Sequence, residues 1–109
     1  MTHAPVLEFT DANFDLEVLQ ASLPVYVEFW ATWSAPSRTV APSTQKLADD
    51  YAGELAVGRL NIDNNQDTPQ RYGVRTVPTV LVFKAGKVVA QVVGARPYSA
   101  YQAAIVPLL

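Results

Sequence analysis

The sequence predicts an α/β fold in which one mixed β-sheet of about five strands is flanked by about four helices. Residues 23–30 form a near-continuous apolar run, as in a parallel strand that is buried on both faces. Strand-like and helix-like segments alternate along the chain until two strand-like segments follow one another. The 109 residues, of which 50% are hydrophobic, suit one domain spanning 1–109.

The first elements are a strand, a helix and the apolar strand. Residues 6–9 resemble a short strand, and Thr10 can cap a helix over residues 11–20. Asp11 would lie at the positive end of that helix dipole. The helix would lead into the buried strand at residues 23–30.

A second helix is predicted from residue 36 to residue 51. Pro36 suits its first turn, where the missing N–H has no helical partner to lose. Pro42 lies inside it and predicts a kink, because proline removes a hydrogen bond and crowds the preceding turn. Gly53 is typical of a residue that follows a helix.

The second half of the chain predicts a third strand, a short helix, a hairpin and a terminal helix. Ala85 and Gly86 separate the two hairpin strands, as in a tight turn. The third strand is predicted at residues 55–62 and the short helix at 68–72. The hairpin strands are predicted at 80–83 and 87–93, and the terminal helix at 98–109.

Composition excludes several classes of function. The chain has no cysteine, so it can form no disulfide, thiolate metal site or thiol nucleophile. A net charge of −2 gives no reason to expect nucleic acid as a partner. No apolar run reaches the roughly 20 residues of a membrane span, so no membrane partner is expected. The N-terminal residues do not resemble a signal peptide, which predicts the cytoplasm.

A short polar turn follows the most apolar strand and carries the candidate chemistry. Trp33 stands at its start, and Ser34 and Ser37 lie three residues apart where the second helix begins. In open α/β sheets, sites tend to form at the carboxyl ends of strands. Taken alone, the serines are helix-start residues; a serine hydrolase would need a base, and the only histidine is His3, near the terminus.

Four further residues are unusual in their surroundings. Glu28 is a lone acid in an apolar strand, where burial would disfavour its charged form, unless that position is exposed. A buried acid without a partner would make Glu28→Gln stabilising. Arg59 interrupts the third strand and on its own is interpreted as a solvated charge. Pro78 precedes a strand, a place where the peptide bond before proline is often cis; the alternative is an ordinary trans bond. Gly94 follows the last strand.

The polar segment between residues 63 and 67 carries aspartates and asparagines that resemble calcium ligands. It lacks the glycine and the terminal acid of a calcium-binding loop, so it is interpreted as a solvated turn. No metal or cofactor is therefore expected.

Over essentially its full length the chain resembles the bacterial thioredoxin family. The matching segments are FWATWSAPSRTVAP, LNIDNNQDTPQRYGVRTVPTVLVFKAGKVV and VVGARP, in order and at family spacing. The family motif is Trp-Cys-Gly-Pro-Cys followed by a basic residue. The corresponding positions here are Trp33, Ser34, Ala35, Pro36, Ser37 and Arg38.

The resemblance implies that Ser34 and Ser37 occupy both redox cysteine positions. In a cysteine-bearing parent, the thiol at position 34 attacks a substrate disulfide and the thiol at position 37 resolves the mixed disulfide. Glu28 stands where the family has a buried aspartate that takes a proton from the resolving thiol, and its extra methylene changes that geometry. Arg59 matches a basic residue near this acid.

The resemblance also implies a substrate-binding surface. Pro78 matches the family's cis-proline, whose loop pairs with the backbone of a bound substrate. Thr76 stands where glycine is common, which implies a stiffer loop. The substrate-binding set implied by the family is Trp33, Ala35, Pro36, Thr76, Val77, Pro78, Gly94 and Ala95.

Because serine cannot form a disulfide, this chain is expected to be inactive in thiol–disulfide exchange and electron transport. Replacement of both cysteines by near-isosteric serines suggests an engineered change. The alternative is a natural, redox-silent binding or structural module that uses the same surface. For the cysteine-bearing parent, the implied partners are disulfide-bearing proteins and a thioredoxin reductase. A monomer is expected, with weak dimerisation through the site face as the alternative.

Overall fold

A computed structural model describes residues 3–109, which contain one five-stranded mixed sheet with the strand order β1-β3-β2-β4-β5. Met1 and Thr2, which belong to the N-terminal segment considered above, lie outside the described residues. β2 runs parallel to β3 and antiparallel to β4. The strands are β1 Leu7–Phe9, β2 Val25–Trp30, β3 Ala56–Asn61, β4 Thr79–Lys84 and β5 Lys87–Val93.

The α/β class and the order of the elements are confirmed. The α-helices are α1 Ala35–Asp50, α2 Asp67–Arg71 and α3 Tyr98–Ile105, and a 3₁₀ turn, Val106–Leu108, follows α3. No helix within residues 3–109 is long and apolar enough to cross a membrane.

The first predicted helix is shorter than expected and differs in type. A single π-helical segment spans Asp15–Leu19, and the Gln20 N–H donates to the Asp15 carbonyl over 3.1 Å. Thr10 does cap the turn before it, since its Oγ1 accepts from the Asn13 N–H at 3.1 Å. Asp11 does not serve this helix: its carboxylate accepts from the Thr68 N–H at 2.9 Å, at the start of α2.

Apolar side chains cover both faces of the sheet, as the continuous apolar run in β2 predicts. Alternate β2 residues point to opposite faces. Tyr26 packs with residues of α1 and α3 on one face, while Val27 and Phe29 pack with Phe14 on the other. The sheet is therefore a middle layer, and the carboxyl end of β2 delivers the chain directly to the start of α1.

The hairpin turn predicted from sequence occurs where expected. Ala85 and Gly86 both have positive φ angles, 52° and 79°, and connect the paired residues Lys84 and Lys87 of a two-residue hairpin. Pro42 lies inside α1, which continues through it as one helix.

Candidate functional site

Ser34 and Ser37 meet at the N-terminus of α1. Ser34 is the residue that caps the helix, and its Oγ accepts from the Ser37 N–H at 3.2 Å. Pro36 occupies the first turn, where a missing N–H costs nothing, and Ala35 begins the helix. Ser34 is 4% exposed and Ser37 is fully buried. The polar turn that the sequence predicts is thus a tightly closed helix start.

The hydroxyl of Ser37 is unusual because it has no hydrogen-bond partner among residues 3–109. Buried hydroxyls in folded proteins are normally satisfied, and leaving one unsatisfied costs about 1–3 kcal/mol. Ser34, by contrast, both accepts a bond and donates from Oγ to the Val77 carbonyl at 3.4 Å. The two serines therefore differ sharply in how well serine suits the position.

The loop before β4 lies against the serine turn. The bond from Ser34 to the Val77 carbonyl joins them, and the Val77–Pro78 peptide bond is cis. The Thr79 hydroxyl donates to the Thr76 carbonyl at 2.7 Å and fixes the loop from its other end. Three of the predicted site residues, Thr76, Val77 and Pro78, are thereby brought beside Ser34.

Gly94 and Ala95 join the same region from the end of β5. The Gly94 N–H donates to the Pro78 carbonyl at 2.8 Å. The buried Tyr101 of α3 holds this turn, because its hydroxyl donates to the Gly94 carbonyl at 2.9 Å. Burial raises the pKa of Tyr101, so the hydroxyl keeps the proton that this bond requires. Ala95 follows on the surface.

Trp33 presents an apolar ring to solvent beside the serines. It is 67% exposed, yet its indole Nε1 donates to Asp63 Oδ1 at 2.9 Å. Asp63 belongs to the segment interpreted as a solvated turn, and no cluster of potential metal ligands occurs among the described residues. The segment thus has a local task in the structure, which is to fix the orientation of Trp33.

Glu28 is fully buried but not isolated. Its Oε1 accepts from the Thr44 hydroxyl of α1 and from Arg59 Nε at 3.2 Å, and its Oε2 accepts from Arg59 Nη2 at 3.2 Å. Arg59 lies directly opposite Glu28 in the β2–β3 register. The interpretation of Arg59 as a solvated charge is wrong, since it forms a fork-like ion pair with the acid.

These partners reverse the expected effect of Glu28→Gln. The stabilising effect expected from the sequence requires an unpaired acid, whereas removal of a paired acid leaves a partner charge uncompensated. None of the hydrogen bonds of Glu28 runs to Ser37. The Glu28 side chain, one methylene longer than aspartate, therefore directs its carboxylate to Thr44 and Arg59 and not to Ser37.

Sequence reasoning missed three residues that shape the site: Thr44, Asp63 and Tyr101. Each acts through a contact with a residue of another segment: Asp63 lies 30 residues from its partner, Thr44 16 residues and Tyr101 seven residues. A threonine two turns along a helix or a tyrosine in a terminal helix is an ordinary core residue by pattern. Only the spacing of Thr44 on the same face of α1 as Val40 and Ser37 gave a signal of burial.

Comparisons with known proteins agree on one family. The sequence model of the thioredoxin family matches residues 5–106. A thioredoxin of Pseudomonas aeruginosa is 50% identical over 90 residues, which are 83% of each chain. A thioredoxin of Acidithiobacillus ferridurans is 47% identical over the same share. Thioredoxin C-2 of Corynebacterium nephridii is 43% identical over 96 residues, 88% of this chain and 89% of its own.

Proposed function

Because the chain belongs to the thioredoxin family and has the thioredoxin fold, we propose that it is a redox-inactive form in which Ser34 and Ser37 replace the two redox cysteines. The function of the family is thiol–disulfide oxidoreduction, here without its thiols. The described elements and the family match favour a single domain over 1–109. A parent with free thiols would belong in a reducing compartment such as the cytoplasm.

The unsatisfied hydroxyl of Ser37 is the observation that carries this proposal. A thiol is a weak hydrogen-bond donor and behaves as a small hydrophobic group, so it can be buried without a partner at little cost. A hydroxyl of similar shape cannot. The fully buried pocket around Ser37 Oγ therefore suits a cysteine better than the serine it holds.

Position 34 has the surroundings that a nucleophilic thiol needs. It caps a 16-residue helix whose N-terminal dipole stabilises a thiolate. In the cysteine-bearing form, that thiolate bonds to one sulfur of a substrate disulfide and releases the other as a thiolate. A thiolate at position 37 then attacks the sulfur at position 34, forms the internal disulfide and releases the reduced substrate. Serine at both positions removes both steps.

Substrate binding is proposed for the surface around Ser34. Trp33 supplies an exposed ring. The loop of residues 76–78 is joined to Ser34 by the hydrogen bond from the Ser34 hydroxyl to the Val77 carbonyl. Gly94 and Ala95 extend this surface, and Ala35 and Pro36 close it at the helix start. The substrates of the parent are disulfide-bearing proteins, and its own disulfide would be reduced by a thioredoxin reductase.

Glu28 is proposed as the internal proton acceptor for the thiol at position 37. Its carboxylate is engaged by Thr44 and Arg59 rather than by the hydroxyl of Ser37. Proton transfer in this chain's cysteine form would therefore be indirect, through water, and slower than transfer to an acid in contact with the thiol.

The second candidate is a natural binding module that holds partner proteins without exchange. The exposed ring of Trp33 and the adjoining loop favour it, because neither depends on a thiol. Coding sequence from the source would separate the two: serine codons at both positions would contradict an engineered replacement.

The proposal is tested by restoring both thiols. The Ser34→Cys, Ser37→Cys variant and the unchanged chain are compared in insulin disulfide reduction with a dithiol reductant supplied. We expect turnover by the variant and only the reductant's background with the unchanged chain. A folded but inactive double variant would contradict the proposal and favour the binding module.

A further inference from the structure

A cavity of about 430 Å³ opens between β1 and α1, away from the serine turn. None of the site residues predicted from sequence lines it. Its volume falls in the range of small-molecule sites, which are about 300–1,000 Å³. Its walls are mixed. Glu8 and Arg59 supply charge, apolar surface comes from Val6, Leu7, Trp30 and Ala41, and uncharged polar groups come from Thr44, Gln45, Asn61 and Asn64.

Arg59 has hydrogen-bonding capacity left over on the cavity side. A guanidinium group carries five N–H donors. Arg59 gives one N–H from Nε and one from Nη2 to Glu28, and its other N–H groups have no acceptor among residues 3–109. Its guanidinium carbon stacks 4.2 Å from the centre of the Trp30 ring, which holds the group in place. A carboxylate or carbonyl oxygen in the cavity can therefore meet a fixed, unsatisfied donor.

Glu8 lies on the opposite side of Arg59 from Glu28. Glu8, Arg59 and Glu28 occupy directly paired positions on β1, β3 and β2. Side chains at paired positions of parallel strands share a face of the sheet, with strands about 4.8 Å apart. The Glu8 carboxylate is exposed and makes no hydrogen bond or ion pair within the described part of the chain. It is thus an open site for a cation beside an open set of donors.

The charge balance selects the class of ligand. Glu28 already neutralises Arg59, so Glu8 leaves the region with a net negative charge and a purely anionic ligand is repelled. A ligand with only a positive charge leaves the remaining Arg59 N–H groups without an acceptor. A zwitterion satisfies both Glu8 and Arg59, and the apolar part of the wall can hold an aliphatic side chain.

We propose that this cavity binds a small aliphatic amino acid, with its carboxylate on Arg59 and its ammonium group on Glu8. The cavity and the serines share no residue, but its lining residues Thr44 and Arg59 also bond to Glu28. A ligand with so few atoms is expected to bind with a Kd in the millimolar range, about 1–10 mM.

The chain offers a direct optical readout. It has two tryptophans, and Trp33→Phe leaves Trp30, which lines the cavity, as the only one. Emission of this variant is titrated with L-leucine, with 3-methylbutylamine, which lacks the carboxylate, and with 4-methylpentanoate, which lacks the ammonium group. We expect a saturable change with L-leucine and at least tenfold weaker binding of both analogues.

Two further variants in the Trp33→Phe background locate the site. The Glu8 side chain is exposed, so Glu8→Gln should not affect folding. It should weaken L-leucine binding about fivefold to tenfold. Glu17→Gln removes the same kind of charge from the π-helical segment, outside the cavity, and should leave the Kd unchanged. No saturable signal up to 100 mM, equal affinity of an analogue, or equal effects of the two Glu variants would each overturn the proposal. Ligand binding by the unchanged chain does not depend on whether the thiol-restored variant reduces disulfides.

Discussion

Replacing the buried hydroxyl at position 37 should raise the free energy of unfolding, whereas replacing the hydroxyl at position 34 should lower it. Ser37 Oγ is fully buried with no partner within residues 3–109, and an unsatisfied hydroxyl costs about 1–3 kcal/mol. Ser37→Cys keeps the shape and removes most of that cost, so we expect the free energy of unfolding to rise by about 1–2 kcal/mol. Ser37→Ala leaves a small void and should gain less, about 0.5–1 kcal/mol.

Ser34→Ala is the matched control, three residues away on the same helix start. Its hydroxyl caps α1 by accepting from the Ser37 N–H, and loss of such a cap costs about 1 kcal/mol. Urea unfolding at pH 7 under reductant measures all three variants, with an unchanged m-value required for comparison. If Ser37→Ala lowered stability as much as Ser34→Ala does, the Ser37 hydroxyl would have a partner and the reasoning would fail.

Three other changes test the fold around the site. Glu28→Gln should lower stability in urea unfolding by about 3 kcal/mol, because Arg59 loses its counter-charge; an unchanged midpoint would mean that the pair is dispensable. Gly58→Ala should cost about 1–3 kcal/mol in thermal unfolding, because an added Cβ would lie 2.6 Å from Phe9 Cζ; a Tm within 2 °C of the unchanged chain's would contradict this. Burial raises the pKa of Asp11, but hydrogen bonds from α2 outweigh it and the net pKa is lowered. The ionised Asp11 stabilises the fold above the unfolded-state pKa of about 3.9, and this effect is lost as pH falls through the folded-state pKa. Asp11→Asn should therefore lose less stability between pH 5 and pH 2 than the unchanged chain does. Equal losses of stability in the two chains would refute the assignment.

Much of the fold follows from local pattern. The apolar run that becomes β2 is long enough to require burial on both faces, and the Ala85–Gly86 turn fixes the hairpin because few residue pairs accept two positive φ angles. The π-helical segment could not be predicted, since its apolar spacing differs little from that of an ordinary helix. The role of Asp11 was misassigned because its partner, Thr68, lies 57 residues away.

The site was predicted less completely than the fold. The position of Ser34 and Ser37 at a strand end and helix start follows from the sequence, and so does the unusual placement of Glu28. The partners of Glu28 do not, because a directly paired position on β3 and a threonine on α1 become neighbours only when the sheet and helix pack. Local pattern identifies a charged residue in a strand, but strand register decides whether it is solvated or paired.

The central claim is that a thiol at position 34 attacks the substrate disulfide, whereas a thiol at position 37 does not attack the substrate and only resolves the mixed disulfide. Ser34→Cys and Ser37→Cys are prepared singly and each is mixed, fully reduced, with an excess of a protein disulfide at pH 7. The geometry predicts that Cys at position 34 forms a mixed disulfide that persists, because no second thiol resolves it, and that Cys at the fully buried position 37 forms it at least tenfold more slowly. Equal rates, or faster reaction at position 37, would contradict the account.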